Sequence, residues 1–311
     1  MICHRMYRIV VSKGALVVSL IPLCAIISTS GSTQSAERFQ LGLVLKGVRA
    51  YCRQIERAAL DFVCLEEISE KVDLSHQKQQ GVRVDPRIAS GVGGVGRMGL
   101  SGRLLSYNPD STPTKGNHLY VFDYQFIRKQ GRFQENRVLL EKDGKKAKTK
   151  GKQPQVAVFS CSEILLLPAR LLDERVAEYY DYYLLGEGHS AGTKTWILKV
   201  TPRLSIGGYL GGTILINQAD SSILKIEWDP TTFGRYAAIL QNAVLYEATP
   251  DVISYTEFGI AKNGIRFPSL DSTEEAYIEA TGRRFVRSET KVSFRGYKFF
   301  TVETKTTIKN D

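Results

Sequence analysis

Residues 209–230 have the sequence YLGGTILINQADSSILKIEWDP, in which two arms of alternating apolar residues flank a short polar turn. This pattern predicts strands over residues 212–217 and 222–229, joined by a turn at residues 218–221. Side chains alternate between the two faces of a sheet, so one face of this hairpin is apolar and the other polar. The apolar face carries Ile214, Ile216, Leu224, Ile226 and Trp228, and the polar face carries Lys225, Glu227 and Asp229. We therefore predict a hairpin within an antiparallel sheet that has one covered face.

Alternation of the same kind recurs along most of the chain, and three stretches have helical spacing instead. The closely spaced strands are linked by short turns, so each is expected to pair antiparallel with its neighbour. The predicted strands are residues 61–72, 118–129, 132–142, 179–187, 193–202, 253–261, 265–270, 274–279, 283–294 and 298–308, with a turn at residues 295–297 between the last two. The predicted helices are residues 39–60, 160–174 and part of 231–245. The protein is expected to be mostly antiparallel sheet with a few helices.

The composition is that of an ordinary globular chain. It has 311 residues, of which 43% are hydrophobic and 24% charged, with a formal net charge of +10. A chain of this length can bury a substantial core. The basic residues form no stripe interleaved with aromatic residues, so we expect no nucleic-acid partner.

The N-terminus has the order of a secretory signal. Arg5, Arg8 and Lys13 precede an apolar run at residues 15–27, and small polar residues follow it. The run is shorter than the roughly 20 apolar residues that a bilayer crossing needs. We expect a cleaved signal over residues 1–36 and export to the periplasm or cell envelope; an uncleaved anchor is the alternative.

The remaining residues, 37–311, are predicted to form a single domain with a flexible, glycine-rich insertion at about residues 75–117. Within the insertion, residues 91–96 match the pattern G-x-G-x-x-G. A dinucleotide site needs a buried strand before that pattern and a helix after it, and turn-forming residues stand there instead. We expect no nucleotide site and no other cofactor.

Residues 143–152 have the sequence DGKKAKTKGK and form a basic tip. Such a charge run is typical of a solvated loop. The functional alternative is a weak contact with anionic lipid or with a protein partner.

Cys52 and Cys64 form a candidate disulfide. Cys52 lies about 12 Å before the end of the first predicted helix, and Cys64 lies about 13 Å into the strand that follows, from the rises per residue of helix and strand. A helix folded back on its strand would bring the two level. In an exported protein such a pair is a disulfide candidate, which leaves Cys161 as the odd thiol. The alternative is two buried free cysteines.

The sequence GHSAG at residues 188–192 matches the nucleophile elbow of lipases and esterases. That elbow requires a helix after the nucleophile and, in those families, a histidine further along the chain. A strand is predicted after Ser190, and no histidine follows it. We interpret the motif as a hairpin turn and predict neither a catalytic residue nor a metal site.

Three motifs together resemble those of a known superfamily. They are G-T-I-L-I-N-x-x-x-S-S-I-L-K-I-E-W at residues 212–228, Y-T-E-F at residues 255–258 and N-G-I-R-F-P at residues 263–268. With the signal, the N-terminal helix and the strands in meander order, they resemble the periplasmic lipoprotein-carrier and outer-membrane lipoprotein-sorting superfamily. The resemblance covers roughly residues 39–308 apart from the insertion. Asn217 stands where the family has Asp, and the turn should tolerate that change.

The resemblance implies an α+β fold, in which a large curved antiparallel sheet forms an unclosed half-barrel and a few helices plug its concave face. It also implies a monomeric, non-enzymatic envelope protein, a carrier or sensor that binds lipid or lipoprotein acyl chains in an apolar cavity. The alternative is a structural or protein-interaction module of an envelope complex, with a filled core and an envelope protein as partner. The candidate cavity residues on the predicted strands are Trp196, Leu198, Ile214, Ile216, Leu224, Ile226 and Trp228.

Overall fold

A computed structural model describes residues 30–58, 61–75, 105–107, 115–129, 132–147, 158–204, 209–234 and 236–300. The apolar run of the predicted signal and the G-x-G-x-x-G sequence lie outside the described residues. Only residues 105–107 of the interior of the predicted insertion are described, and they form a short strand.

The main body is an eleven-stranded antiparallel sheet, as the alternation predicted. Its strands in chain order are β1 (Asp61–Asp73), β3 (Lys115–Lys129), β4 (Arg132–Lys142), β5 (Lys145–Lys146), β7 (Tyr180–Ser190), β8 (Thr193–Pro202), β9 (Gly212–Asn217), β10 (Ile223–Trp228), β11 (Ala248–Glu257), β14 (Leu270–Glu279) and β15 (Arg284–Phe300). They lie in the spatial order β5-β4-β3-β1-β15-β14-β11-β10-β9-β8-β7. The end strands β5 and β7 do not meet, so the sheet is unclosed.

Two short strand pairs and three α-helices complete the described fold. The pairs are β2 (Leu105–Tyr107) with β6 (Phe159–Cys161), and β12 (Ile260–Lys262) with β13 (Ile265–Phe267). The helices are α1 (Ser30–Arg57), α2 (Leu167–Leu172) and α3 (Tyr236–Leu245), with 3-10 turns at Ile164–Leu166, Glu174–Tyr179 and Pro230–Thr232. The first helix begins nine residues earlier than predicted. The predicted helix at residues 160–174 is broken up, because β6 takes its start and Pro168 allows α2 to begin only at Leu167.

The hairpin that the sequence predicted is present as β9 and β10. Ile214 lies opposite Ile226, and the side-chain oxygen of Asn217 accepts a hydrogen bond of 3.0 Å from the Ala219 backbone N–H in the turn. An amide oxygen can make this bond as a carboxylate would, so asparagine serves at the position where aspartate is usual in the superfamily. The register shifts between Ile223 and Lys225. This irregularity turns Leu224 away from the covered face and leaves it half-buried, which corrects its predicted placement.

The predicted turn at residues 295–297 is wrong. β15 continues through it as one strand of 17 residues. Between the pairs Val63 with Lys298 and Leu65 with Arg295, β15 has one residue more than β1. Gly296 has a φ of 70°, so a glycine that looked like a turn signal accommodates a β-bulge.

One face of the sheet is covered and the other is exposed. Cross-strand pairs connect a single row across the covered face, running through Tyr120, Ile68, Val292, Asp271, Thr256, Ile226, Ile214 and Leu198. We call the face with this row the covered face and the opposite one the outer face. Five buried residues of α1 belong to the same hydrophobic core as the apolar members of the row, and they are Val44, Val48, Tyr51, Cys52 and Ile55.

Candidate functional site

The candidate cavity residues lie next to one another on β8, β9 and β10. Leu198, Ile214 and Ile226 form adjacent cross-strand pairs, and Trp196 lies opposite Ile216. Leu198, Ile214, Ile216 and Ile226 are at most 1% exposed, and Trp228 is 5% exposed. Trp196 is partly buried against this core, and Leu224 is half-buried. The structure therefore brings the seven together, six of them in or against the packed core.

Helix α1 makes a close approach to the turn between β9 and β10. A Cβ atom built on Gly47 would lie 2.5 Å from the Oγ atom of Ser221 and 3.3 Å from its Cβ atom. Beyond this contact, the Tyr51 hydroxyl accepts a hydrogen bond of 2.9 Å from the Arg266 backbone N–H. On the other side of the helix, the Arg49 side chain donates to the Leu172 carbonyl at 3.0 Å. A helix, and not a second sheet, thus lies over this part of the structure.

Two cavities are bounded by described residues, and none of the seven candidates lines either of them. One, of about 400 Å³, lies at the strand ends among Lys71, Asp73, Lys115, Glu274 and Glu289. The other, of about 590 Å³, follows the exposed side of α1 at Arg53 and Arg57. Six of the seven candidates thus lie in or against the packed core and line neither of these two cavities.

A band of buried polar residues crosses the covered face, and the sequence reasoning missed it. It consists of Glu66 and Glu70 on β1, Ser288 and Thr290 on β15, Asp271, Thr273 and Glu275 on β14, and Ser254 and Thr256 on β11. Each of these residues is at most 4% exposed. The sequence pattern that indicates this band is in β1, where Glu66 and Glu70 share the face of Phe62 and Ile68. Buried carboxylates need partners, and the structure supplies them from β4, β15 and α3.

Glu66 forms a two-pronged ion pair with Arg137 of β4. The Arg137 Nε and Nη2 atoms donate to the two Glu66 oxygens at 2.6 and 3.0 Å. Arg137 also lies over the Tyr124 ring and donates to Glu135. Burial disfavours charge on Arg137, but the Glu66 and Glu135 carboxylates outweigh this and raise the pKa of the guanidinium above its ordinary value. Glu135 in turn accepts from the Glu163 backbone N–H. This network ties the segment before α2 to the sheet.

A second buried ion pair lies beneath α3. Arg287 Nη1 donates to Glu275 at 2.8 Å, and the side chains of both residues are at most 1% exposed. Arg287 Nε also donates to the Tyr246 hydroxyl just after α3, and Asn242 of α3 donates to Glu275 at 3.5 Å. A register shift between Glu275 and Ala276 lets Arg287 and Ser288 both point to the covered face. Helix α3 is thus held to the sheet by polar contacts.

A third polar group connects the band to the candidate apolar residues. The Trp228 indole N–H donates to Thr256 at 2.9 Å, and the Thr256 hydroxyl donates to Asp271 at 2.6 Å. Burial raises the pKa of Asp271 to about 6, an effect that the bond from Thr256 opposes and the nearby Glu66 adds to. A carboxyl group with this pKa changes its charge near neutral pH.

No protein-family model matches the chain, and no curated protein matches its sequence. Among solved structures the chain is similar to a DUF1329 family protein from Desulfovibrio piger, with 10% identity over 84% of this chain and 95% of the other and a TM-score of 0.38. It is similar to a LolA superfamily protein from Nitrosomonas europaea, with 10% identity, coverages of 81% and 95% and a TM-score of 0.29. It is also similar to an outer membrane lipoprotein-sorting protein domain from Vibrio parahaemolyticus, with 11% identity, coverages of 84% and 95% and a TM-score of 0.31.

The last two structures belong by name to the superfamily that the sequence resembles. At these identities the likeness concerns the fold alone. What these similar structures bind is a property of those proteins.

The predicted disulfide is not formed in the structure, where Cys52 and Cys64 are free, buried thiols. The prediction assumed that α1 folds straight back over β1. Instead, Gly47 of α1 lies against the turn between β9 and β10, and the charged groups near Cys52 are Glu56, Arg53, Arg49 and Asp173. Cys64 lies beside Tyr297 of β15. The alternative of two buried free cysteines describes the structure.

We expect both thiols to resist alkylation in the folded protein at pH 8. Burial raises the pKa of each to about 12, and nearby glutamates add to the effect, so almost no reactive thiolate is present. After unfolding in urea without a reductant, both cysteines should react fully. Mass spectrometry of the peptides with Cys52 and Cys64 checks this. Two cysteines that stay unmodified until a reductant is added would instead establish the disulfide.

The GHSAG sequence forms the hairpin turn between β7 and β8, as predicted. Ser190 pairs with Thr193, and the two loop residues, Ala191 and Gly192, have φ values of 47° and 80°. Positive φ at both positions is typical of a type I′ hairpin turn. Strand β8 follows Ser190, so the motif lacks the strand-to-helix turn on which the nucleophile of an α/β-hydrolase stands.

Two further observations concern only the residues that the structure describes. They contain no group of three or more His, Cys, Asp or Glu side chains placed to hold a metal ion. They also contain no helix with the length and apolar character needed to span a membrane.

Proposed function

We propose that this protein is a non-enzymatic component of the cell envelope, a carrier or sensor that binds lipid or lipoprotein acyl chains. The proposed site is the apolar surface of β8, β9 and β10, and α1 acts as its cover. The observation that carries the proposal is that six apolar side chains of this surface lie in or against a core to which α1 contributes. A helix can move away as a unit without breaking the strand ladder of the sheet.

An acyl chain that takes the place of α1 restores apolar burial on the sheet. Each buried methylene contributes about 0.8 kcal/mol, so an acyl chain can replace the apolar contacts that α1 gives up. The polar contacts of α1 near this surface are few, and the bond from Arg266 to Tyr51 is one of them. The predicted signal at the N-terminus supports placement in the envelope, where acyl-chain ligands are found.

The second candidate function is a structural or protein-interaction module with a permanently filled core. It is favoured by the burial of Leu198, Ile214, Ile216 and Ile226, each at most 1% exposed. In that case α1 would stay in place, and no acyl chain would bind. The two candidates differ in whether α1 moves, which a reversible cross-link can test.

The test is a disulfide that locks α1 onto the turn between β9 and β10. The Gly47→Cys/Ser221→Cys variant places two Cβ atoms about 3.3 Å apart, just below the usual disulfide range of about 3.5–4.5 Å, so a small adjustment suffices. We expect the oxidised variant to lose saturable binding of a fluorescent fatty acid, and the reduced variant to regain it. Titration of the same sample before and after reduction measures the effect.

The single variant Ser221→Cys serves as the control and should bind as the wild type does, whereas Gly47→Cys alone would place its Cβ atom 2.5 Å from the Ser221 Oγ atom. Equal binding by the oxidised and reduced double variant would exclude a site beneath α1. Absence of binding by the wild type, together with no lipid in an extract of the purified protein, would exclude the carrier and leave the filled-core module.

A further inference from the structure

The end of the sheet at β4 and β5 combines exposed aliphatic side chains with exposed lysines. Leu119, Val138 and Leu140 lie on the outer face and are 38–39% exposed. Two of them adjoin the hairpin turn: the Leu119 carbonyl accepts from the Asp143 backbone N–H, and the Leu140 carbonyl accepts from the Ala147 N–H, both within 2.8 Å. Lys146 lies opposite Glu141 on the same outer face, whereas Lys145 lies opposite Lys142, which pairs with Tyr120 of the covered face. The two lysines therefore flank the edge of the sheet next to these aliphatic side chains.

The lysines of this hairpin are exposed. Lys142 lies over the Tyr120 ring with its Nζ atom 5.4 Å from the ring centre. Lys145 and Lys146 are exposed strand residues, and neither forms an ion pair with another described residue. Glu141, which lies opposite Lys146 in the ladder, is the nearest acidic residue on this strand pair apart from Asp143. The sequence from 141 to 152 contains six lysines against these two carboxylates.

The turn that presents these lysines is held in place. One Asp143 carboxylate oxygen accepts from the Leu119 backbone N–H at 2.8 Å, and the other lies 3.4 Å from the His118 ring. Gly144 has a φ of 73°, which suits the two-residue turn between β4 and β5. The Asp143 carboxylate is thus hydrogen-bonded within the turn, and Lys145 and Lys146 are exposed to a partner.

We propose that this edge of the sheet, formed by Leu119, Val138, Leu140, Lys145 and Lys146, docks on the anionic surface of a membrane. Each lysine of a cluster raises the affinity for an anionic bilayer about fivefold. Adjacent aliphatic side chains can enter the headgroup layer. Recognition of fixed carboxylates on a protein usually employs the fork of arginine, and no arginine is among these residues. The surface is distinct from the apolar site beneath α1 and does not depend on acyl-chain binding.

The experiment is sedimentation of the purified full chain with vesicles, without added fatty acid. One set is made from equal parts of phosphatidylglycerol and phosphatidylcholine, and the other from phosphatidylcholine alone. We expect binding to the anionic set only, weakened by salt because exposed charges are screened. The Lys145→Glu/Lys146→Glu variant should bind the anionic vesicles at least about tenfold more weakly than the wild type.

The matched control is Lys194→Glu/Lys199→Glu, which reverses two exposed lysines of β8, near the opposite end of the sheet. It should keep most of the vesicle binding, and circular dichroism should show that both variants are folded. Equal losses in the two variants would mean a response to net charge and would overturn the proposal. So would an unchanged affinity of the Lys145→Glu/Lys146→Glu variant, or a wild type that binds an acidic protein and not the vesicles.

Discussion

Replacing Arg137 by methionine is expected to lower the free energy of unfolding by about 3 kcal/mol or more. Methionine fills most of the space but leaves the Glu66 carboxylate, 1% exposed, without the two hydrogen bonds that neutralise it. A buried charge without a partner costs several kcal/mol or must take up a proton. Urea unfolding of the wild type and the variant at pH 7 measures the difference.

Two further variants identify the cause. Arg203→Met removes an exposed ion pair with Asp181 and should change stability by less than about 1 kcal/mol. Adding Glu66→Gln to Arg137→Met should recover part of the loss, because the amide needs no counter-charge. A loss below about 1 kcal/mol for Arg137→Met alone would show that the pair contributes little to stability.

Local sequence patterns were sufficient to place most strands. The predicted bounds of β4 and β8 match the structure, and the predicted first arm of the central hairpin is β9. Each of these strands is bounded by turn residues, so its ends are determined within a few residues of sequence. The antiparallel pairing followed from the short connections between the strands.

The errors arose where one residue had two possible structural roles. Gly296 is a residue type typical of turns, but the long pairing of β15 with β1 places it in a β-bulge. Leu224 fits the alternation of β10, but a register shift turns it partly away from the core. In both places the outcome depends on the neighbouring strand, which local alternation does not report.

The burial of the candidate residues was predicted in part for the same reason. Alternation placed Ile214, Ile216 and Ile226 on a covered face, and they are buried. It did not predict how α1 crosses the sheet, because the contact of Gly47 with Ser221 joins residues 174 positions apart. The polar band is also a long-range feature. Glu66 was visible on the apolar face of β1, but its partner Arg137 lies 71 positions away.

The polar band also leads to a prediction about pH. Asp271 lies in the middle of the row on the covered face, between Val292 and Thr256. Its pKa, raised by burial from 3.8 to about 6, means that the folded state prefers the neutral carboxyl group. Below the pKa of the unfolded state, Asp271 is neutral in both states and its raised pKa does not lower the free energy of unfolding. The free energy of unfolding then falls as the pH rises through about 6. The shift corresponds to about 3 kcal/mol lost above pH 7.

The Asp271→Asn variant is therefore expected to be more stable than the wild type at pH 8, by about 2–3 kcal/mol. Its amide oxygen can still accept the bond from Thr256, while the buried charge is removed. At pH 4 the wild-type carboxyl is largely neutral, so the advantage should nearly vanish. Urea unfolding of both proteins at the two pH values provides the measurement. Asp181→Asn, at an exposed ion pair with Arg203, is the control and should show little dependence on pH. An Asp271→Asn variant whose stability differs from that of the wild type by the same amount at pH 4 and pH 8 would mean that folding does not raise the pKa of Asp271.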